Sequence, residues 1–224
     1  DVIFLHCSGY LNNDTNFANY FGKMYQPRYL SGLAAGAMTN SNKIGYVAAF
    51  PIPEVIRGIN AFAAGVNEVN PEATVEVVWT STWFGPEVET QAANALLEKG
   101  ADVLAQHQDS TATGLAAEAA GAKWISYNTA YGQDSAPEAF VTAPVWDWGP
   151  YYVNIVEQII DGTFTTESYW GGMETGLVSL YDLSSDVPSD TATLIAEKTE
   201  AIIDGTLEVE IVEEEFISNV IGTV

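Results

Sequence analysis

The segment from Lys43 to Val69 constrains the fold more than any other part of the sequence. Residues 43–50 (KIGYVAAF) are mostly apolar or β-branched, which is typical of a strand buried on both faces of a sheet. Pro51 and Pro53 end that strand, because proline has no N–H to donate to a sheet ladder. From Glu54 onward apolar residues recur every three to four positions, which predicts a helix with one buried face.

The same alternation of strand and helix continues along the chain. It predicts an α/β fold with a mainly parallel sheet covered by helices on both sides. Ligands of open α/β sheets bind at the carboxyl ends of the strands, so the loop after residue 50 lies at the predicted binding edge. Further strands are predicted at residues 1–7, 74–80, 102–106, 123–127, 139–142 and 176–181. Helices are predicted at residues 17–38, 86–99, 111–120, 149–161 and 189–204, with polar segments at 12–16 and 128–137, a turn at 169–172 and a weak strand after residue 207.

The helix at 17–38 contains the small-residue run GLAAGA, which includes Gly32 and Gly36. Because glycine has no side chain, these two positions predict that the helix lies close on the sheet.

The chain is strongly acidic, with 7 Lys and Arg against 30 Asp and Glu in 224 residues and a net charge of −23. This charge argues against binding to nucleic acid or to an anionic membrane surface and indicates a highly solvated exterior. No apolar run approaches the roughly 18 residues that span a bilayer. Cys7 is the single cysteine, so no intrachain disulfide and no cysteine metal cluster are predicted.

Aromatic residues lie at the predicted binding edge. Phe50 closes the strand at 43–50, and Trp83 follows the strand at 74–80 in the loop TSTWFGP. Exposing an indole is costly, so Trp83 is interpreted either as a wall that stacks on a planar ligand or as a residue packed under its loop. Trp146 and Trp148 flank Asp147 and offer a stacking face and a hydrogen-bond acceptor. The alternative is that one indole anchors a hinge and only the other faces the ligand.

Polar residues follow the strand at 102–106 in the sequence QHQDS. Asp109 and Ser110 are each predicted either to hydrogen-bond a ligand or to cap the helix that begins near Thr111. A metal site at His107 is not predicted, since the only other histidine of the sequence is His6.

Enzyme signatures are missing from the sequence. It contains no G-x-S-x-G, no Walker A motif and no G-x-G-x-x-G after a strand, so we predict neither catalysis nor a cofactor. The glutamates of the helix at 86–99 are interpreted as its solvated face, namely Glu87, Glu89 and Glu98.

Five motifs resemble the basic membrane protein (PnrA-like) family of ABC-transporter substrate-binding lipoproteins, which bind purines and nucleosides. They are IGYVAAFPIPEVIRGINAFAAG, NPEATVEVVW, TWFGPEVE, GADVLAQHQDS and VWDWGPYY, and they occur in the family's order between residues 1 and 176. The resemblance implies a type I periplasmic-binding-protein fold and a periplasmic or lipid-anchored cell-surface location. It also implies two partners, a small planar ligand and an ABC permease in the membrane.

The resemblance further implies that roughly a hundred residues of a first lobe precede Asp1 in the family. Residues 1–14 and 143–168 are then the remnant of that N-terminal lobe, and residues 15–142 and 169–224 form a nearly complete C-terminal lobe. We therefore expect the strand at 1–7 and one face of the Gly149–Asp161 helix to be unsupported.

The resemblance also assigns candidate ligand contacts. Trp83 matches an aromatic position of the family's base-binding cleft. Asn128 matches an aspartate, and Trp146 a lysine, that hold the ribose hydroxyls of a nucleoside. Because an amide and an indole lack the charge of those anchors, the departure favours a bare purine base captured by hinge closure of two lobes. Two other hypotheses for the function remain: a ligand-sensing module without a transporter, and a sugar- or nucleotide-processing α/β enzyme.

Overall fold

The computed structural model describes residues 2–222. Its strands, in chain order, are β1 (Phe4–Cys7), β2 (Phe17–Gly22), β3 (Lys43–Ala48), β4 (Thr74–Trp79), β5 (Val103–His107), β6 (Lys123–Ile125), β7 (Phe140–Thr142), β8 (Pro144–Trp146), β9 (Tyr169–Gly171), β10 (Val178–Leu180) and β11 (Val220–Ile221). The helices are α1 (Tyr25–Met38), α2 (Pro53–Val69), α3 (Pro86–Glu98), α4 (Ala112–Ala120), α5 (Gly132–Ser135), α6 (Gly149–Asp161) and α7 (Ser189–Ile203), with one 3-10 turn at Met173–Thr175.

The main sheet has six parallel strands in the order β11-β4-β3-β5-β6-β7. β3 lies in its middle and pairs along its length with β4 on one side and β5 on the other. Helices cover both faces, with α1 and α2 on one face and α3 and α4 on the other. The predicted α/β fold with a mainly parallel, helix-flanked sheet is therefore confirmed.

Strand β3 is buried on both faces, as its apolar sequence predicts. Tyr46 packs into the core formed with α1 and α2, while the adjacent Val47 packs into the core formed with α3 and α4. Because successive side chains of a strand point to opposite faces, one short segment anchors both layers. The carboxyl ends of all these parallel strands then meet at one edge of the sheet.

Helices α1 and α2 approach each other closely at glycines. A Cβ on Gly32 of α1 would lie 2.0 Å from the Phe62 carbonyl oxygen, and one on Gly65 of α2 would lie 2.1 Å from the Tyr29 carbonyl oxygen. Helix α1 covers one face of the sheet, as predicted, but the glycines of its small-residue run serve a contact with α2 and not with the sheet. The sequence shows that a close neighbour exists but not which element it is.

A second, three-stranded parallel sheet has the order β1-β2-β9 and corrects two predictions. Residues 17–22 form a strand and not the start of a helix, which begins only at Tyr25. The turn expected at 169–172 contains β9, which pairs with β2. The local sequence did not predict β2 because long-range packing holds it in place. Tyr20 of β2 stacks on Tyr151 of α6, with ring centroids 4.7 Å apart.

The C-terminal segment is mostly irregular, so the weak strand expected after residue 207 is confined to β11. Asn60 of α2 holds the segment by donating from Nδ2 to the carbonyl oxygens of Val212 (2.9 Å) and Glu215 (2.8 Å). A side-chain amide thus satisfies backbone groups that a strand would have paired. The loop expected at 128–137 contains the short helix α5.

One end of the molecule presents apolar side chains to solvent, as expected for the first strand and for α6. β1 is an edge strand, and Phe4 is 55% exposed. Helix α6 exposes a row of apolar residues, namely Val153, Val156, Ile159 and Ile160. Asp1, the first residue of the predicted strand, lies outside the described residues. None of the described helices is both long enough and apolar enough to cross a membrane.

Candidate ligand-binding site

The six residues predicted to bind ligand all lie beyond the carboxyl ends of strands or on β8 and the loop that follows it. Phe50 follows β3, Trp83 follows β4 and Asp109 follows β5. Asn128 follows β6 and bridges to β8, the strand that contains Trp146, and Trp148 is adjacent to α6. Because β3 to β6 are parallel, the loops after these strands meet at one edge of the main sheet.

Four aromatic side chains form a row at this edge, which we call the aromatic row: Phe50, Trp83, His107 and Tyr127. The ring centroids are 5.2 Å apart for Phe50 and Trp83, 5.9 Å for Trp83 and His107, and 4.6 Å for His107 and Tyr127. Trp83 is 39% exposed, whereas His107 and Tyr127 are buried. The row therefore runs from an open indole face into the protein interior.

Asn128 joins two of the other predicted residues by hydrogen bonds. Its Nδ2 donates to Oδ1 of Asp109 (2.8 Å), and its Oδ1 accepts from Nε1 of Trp146 (3.2 Å). Asn128 has φ = 70°, a left-handed conformation that asparagine tolerates better than most residues. The backbone N–H of Asp109 donates to the Trp83 carbonyl oxygen (2.9 Å), which ties this polar group to the aromatic row.

The two remaining indoles stack on each other. The rings of Trp146 and Trp148 are 4.6 Å apart and inclined by only 14°. Phe21 of β2 contacts Trp146 at 5.0 Å, and Tyr20 meets Trp148 edge-on at 5.3 Å. The indole pair therefore connects the edge of the main sheet to the three-stranded sheet. Asp147, between them, accepts from the Gly149 N–H (3.1 Å) at the start of α6.

The hydrogen bonds of Ser110 lie within the protein at the start of α4, which favours helix capping over ligand binding for this residue. Ser110 Oγ donates to Glu89 (2.5 Å) and accepts from the Ala112 N–H (3.2 Å) at the start of α4. Glu89 is fully buried and also accepts from the Gly85 N–H (2.8 Å). The interpretation of Glu89 as part of a solvated face is therefore wrong, because its buried carboxylate accepts from partly buried donors at the starts of α3 and α4.

Arg28 is a buried charge that the sequence did not single out. Its guanidinium lies 3.9 Å from the Tyr127 ring centroid at the inner end of the aromatic row, and Nη1 donates to the Gln106 carbonyl oxygen (2.7 Å). Nε and Nη2 are buried without a hydrogen-bond partner among the described residues. Nothing in the local sequence of α1 marks this position, since the burial comes from strands far along the chain.

Glu54 is the second charged residue that the sequence did not assign to the site. It lies in the first turn of α2, and its carboxylate is 3.6 Å from Nε2 of His107. Burial raises the pKa of Glu54, although Arg57 and Arg28 act in the opposite direction. Burial, Arg28 and Arg57 together hold the pKa of His107 well below its usual value, so the imidazole is neutral at physiological pH.

A cavity of about 400 Å³ lies at the opposite, amino edge of the sheet, lined by Lys43, Thr74, Glu76 and Lys99 among others. Its charged groups already have partners, because Lys99 pairs with Glu76 and Lys43 donates to the Lys99 carbonyl oxygen (3.0 Å). The α/β rule and the unsatisfied polar groups both favour the carboxyl edge as the ligand site.

Residues 1–213 match the family model described as ABC transporter substrate-binding protein, PnrA-like. The chain belongs to this family. The family comprises solute-binding proteins of ABC transporters and not enzymes, in agreement with the prediction that the chain is not an enzyme.

Two curated relatives of this PnrA-like chain are similar over most of its length. A protein of Haloferax volcanii named for glucose binding in an ABC transporter (TsgA13) is 44% identical over 209 residues, which cover 93% of this chain and 53% of that protein. A purine-binding protein of Brucella abortus is 40% identical over 208 residues, which cover 91% of this chain and 57% of that protein. The chain thus spans a little over half the length of these relatives.

A solved structure supports the same fold assignment. An ABC transporter solute-binding protein of Conexibacter woesei superposes with a TM-score of 0.75 at 25% identity, over 94% of this chain and 72% of that one.

Proposed function

We propose that this PnrA-like chain is the ligand-binding part of an ABC import system and that it captures a purine base outside the cytoplasm for delivery to a membrane permease. The proposal rests mainly on the aromatic row, in which a half-exposed Trp83 face lies beside the hydrogen-bonded pair Asp109 and Asn128. A planar heterocycle needs a flat apolar wall and polar groups at its edge, and this arrangement offers both.

A bare base fits these polar groups better than a nucleoside does. Asn128 and Trp146 occupy the positions at which relatives that bind nucleosides are expected to hold the ribose. Here the two side chains hydrogen-bond to each other, and neither carries a charge. Charge-assisted bonds are roughly twice as strong as neutral ones, so the grip on ribose hydroxyls is weak.

We further propose that residues 1–14 and 143–168 belong to a first lobe and residues 15–142 and 169–224 to a second, with the three-stranded sheet β1-β2-β9 crossing the boundary between them. The exposed apolar side chains of β1 and α6 support this division, because contiguous apolar surface of this kind marks an interface. The ligand would then lie between the lobes and be enclosed by hinge closure. Anchoring to the cell surface by a lipid belongs to the same proposal and rests on the family resemblance alone.

Calorimetric titration of the intact protein, as encoded in its gene, tests the ligand class. Adenine and guanine are compared with their nucleosides and with glucose. We expect one free base to bind at least as tightly as its nucleoside and more tightly than glucose. A clear preference for a nucleoside or for glucose would overturn the assignment to a purine base.

Two further measurements distinguish the remaining function classes. An enzyme that processes sugars or nucleotides would convert its ligand, so chromatography should recover the bound base unchanged if the protein is a binder. A ligand-sensing module would bind the base without supporting import. Deleting the gene should therefore reduce uptake of the labelled base, and unchanged uptake would favour sensing over transport.

A further inference from the structure

Glu54 presents an unsatisfied carboxylate at the edge where the ligand is proposed to bind. Its side chain is 22% exposed and lies beside His107, a member of the aromatic row, at 3.6 Å. Among residues 2–222 no donor lies within hydrogen-bond distance of this carboxylate, although the group is largely desolvated. A desolvated acceptor without a donor is costly, so this position favours a ligand that supplies one.

The charged groups around Glu54 leave its oxygens available. Arg57, on the same helix, pairs with Glu213 (2.5 Å) and lies over the Trp170 ring. Arg28 of α1 donates to the Gln106 carbonyl oxygen. From the end of β5, His107 is neutral, and Asp109 in the following loop carries a like charge and accepts from Asn128. Both cations act on Glu54 at a distance, but neither donates a hydrogen bond to it, and the Asp109 carboxylate repels it.

His107 provides a second, independent observation. It is only 4% exposed, its Nε2 faces the Glu54 carboxylate, and its Nδ1 has no partner among the described residues. Its ring lies between Trp83 and Tyr127 in the aromatic row. The carboxylate therefore lies beside a buried imidazole, and that imidazole neighbours the indole on which a base would stack.

The chemistry of a free purine matches this arrangement. An unsubstituted purine carries one N–H on its five-membered ring, whereas a nucleoside carries its sugar at N9 and has no such N–H. A carboxylate is acceptor-only when ionised, so it bonds a ring N–H and gains nothing from a ring without one. A carboxylate at the ligand can therefore select the free base by accepting its ring N–H. This is a favourable contact with the base, in addition to the weak binding of ribose at Asn128 and Trp146.

We propose that Glu54 is a specificity-determining residue that accepts the five-membered-ring N–H of an unsubstituted purine stacked in the aromatic row. This inference rests on the proposed function and names the group that selects a base over its nucleoside.

The test compares adenine with 9-methyladenine, which keeps both ring faces and the exocyclic amino group but has no N–H on the five-membered ring. Both are titrated calorimetrically into the intact wild-type protein and into Glu54→Gln. Glu87→Gln serves as the matched control, because Glu87 is an exposed glutamate in the first turn of α3 at the same edge of the sheet. Hydrogen bonds to charged groups suggest that wild type prefers adenine by about ten- to hundred-fold.

In Glu54→Gln the amide oxygen can still accept the ring N–H but carries no charge. The affinity for adenine should therefore fall, and the ratio of the two affinities should shrink relative to wild type. In Glu87→Gln the wild-type ratio should persist. An unchanged ratio in Glu54→Gln, or equal binding of the two ligands by wild type, would overturn the role of Glu54 while leaving purine binding in place. Failure of wild type to bind adenine, guanine or any of their derivatives would instead overturn the proposed function, and the inference with it.

Discussion

Trp83, in the loop after β4, and Trp124, on β6, are both indoles of the main-sheet region, yet they differ in burial. Trp83 is 39% exposed at the outer part of the aromatic row, whereas Trp124 of β6 is fully buried and donates from Nε1 to Gln106 (3.0 Å). Substituting each tryptophan by alanine therefore separates the effect of a ligand contact on affinity from the effect of core packing on stability.

We expect Trp83→Ala to weaken binding of the base by roughly ten- to hundred-fold, since base–aromatic stacking contributes about 1–3 kcal/mol. The unfolding free energy without ligand should stay within about 1 kcal/mol of wild type, as for an exposed residue. Calorimetry and urea denaturation on the same variant measure both quantities.

Trp124→Ala provides the opposite control, because truncating a buried tryptophan costs about 3–5 kcal/mol of stability. If Trp83→Ala lost stability like Trp124→Ala and kept its affinity, Trp83 would be a packing residue and not a wall of the site.

The pKa values of Glu54 and Glu68 are shifted in opposite directions, so the two residues should change the folding stability with pH in opposite ways. Burial raises the pKa of Glu54, so its contribution to stability is present at low pH and is lost as the pH rises through the raised value. Burial also acts to raise the pKa of Glu68, but hydrogen bonds from Lys198 and Tyr29 outweigh it, and the pKa is lowered. The contribution of Glu68 is therefore present near neutrality and lost as the pH falls.

At neutral pH we expect Glu54→Gln to melt at the same temperature as wild type or higher, and Glu68→Gln to melt lower. Both differences should shrink in acid, where the wild-type carboxyl groups are protonated. Thermal melts from pH 4 to pH 7.5 without ligand measure this. A Glu54→Gln protein less stable than wild type at neutral pH would show that Glu54 serves the fold and not the ligand.

At the scale of single elements, the contact between α1 and α2 depends on glycine. Replacing Gly32 by alanine would place a Cβ 2.0 Å from the Phe62 carbonyl oxygen, which forces the two helices apart. Gly58, also on α2, is a matched control, because its Cβ would lie 3.9 Å from the Arg28 side chain. We expect Gly32→Ala to cost about 1–3 kcal/mol in urea denaturation.

Gly58→Ala should be neutral or stabilising by up to about 1 kcal/mol, since alanine favours a helix more than glycine does. Equal effects of the two substitutions would mean that the helices tolerate separation at Gly32.

The sequence predicted those helices and strands whose boundaries are marked by nearby residues. The strand–proline–helix unit of β3 and α2 was visible because its period changes at Pro51 and Pro53. Strand β2 was not visible, because the aromatic partner that stacks on Tyr20 is Tyr151, far along the chain. The burial of Arg28 and Glu89 was missed for the same reason, since helical charges that face water and those that satisfy buried groups have the same local sequence.

At the scale of the whole molecule, the parallel sheet collects residues that are distant in sequence at one edge. The sequence predicted Phe50, Trp83 and Asp109 at the ends of strands and Asn128 from the family resemblance, and the parallel topology brings the four together. It did not predict Glu54 or Arg28, which reach the same edge from helices. Their positions depend on how α1 and α2 pack against the sheet, and that packing has no local signal.

The central claim is that a purine base binds at the carboxyl edge of the main sheet. A crystal structure of the intact protein soaked with adenine or guanine tests it most directly. We predict the base stacked on Trp83 at a ring-centroid distance of about 4.5–7 Å, with its polar edge towards Asp109 and Asn128. A base bound elsewhere, such as in the amino-edge cavity beside Lys43 and Lys99, would contradict the claim.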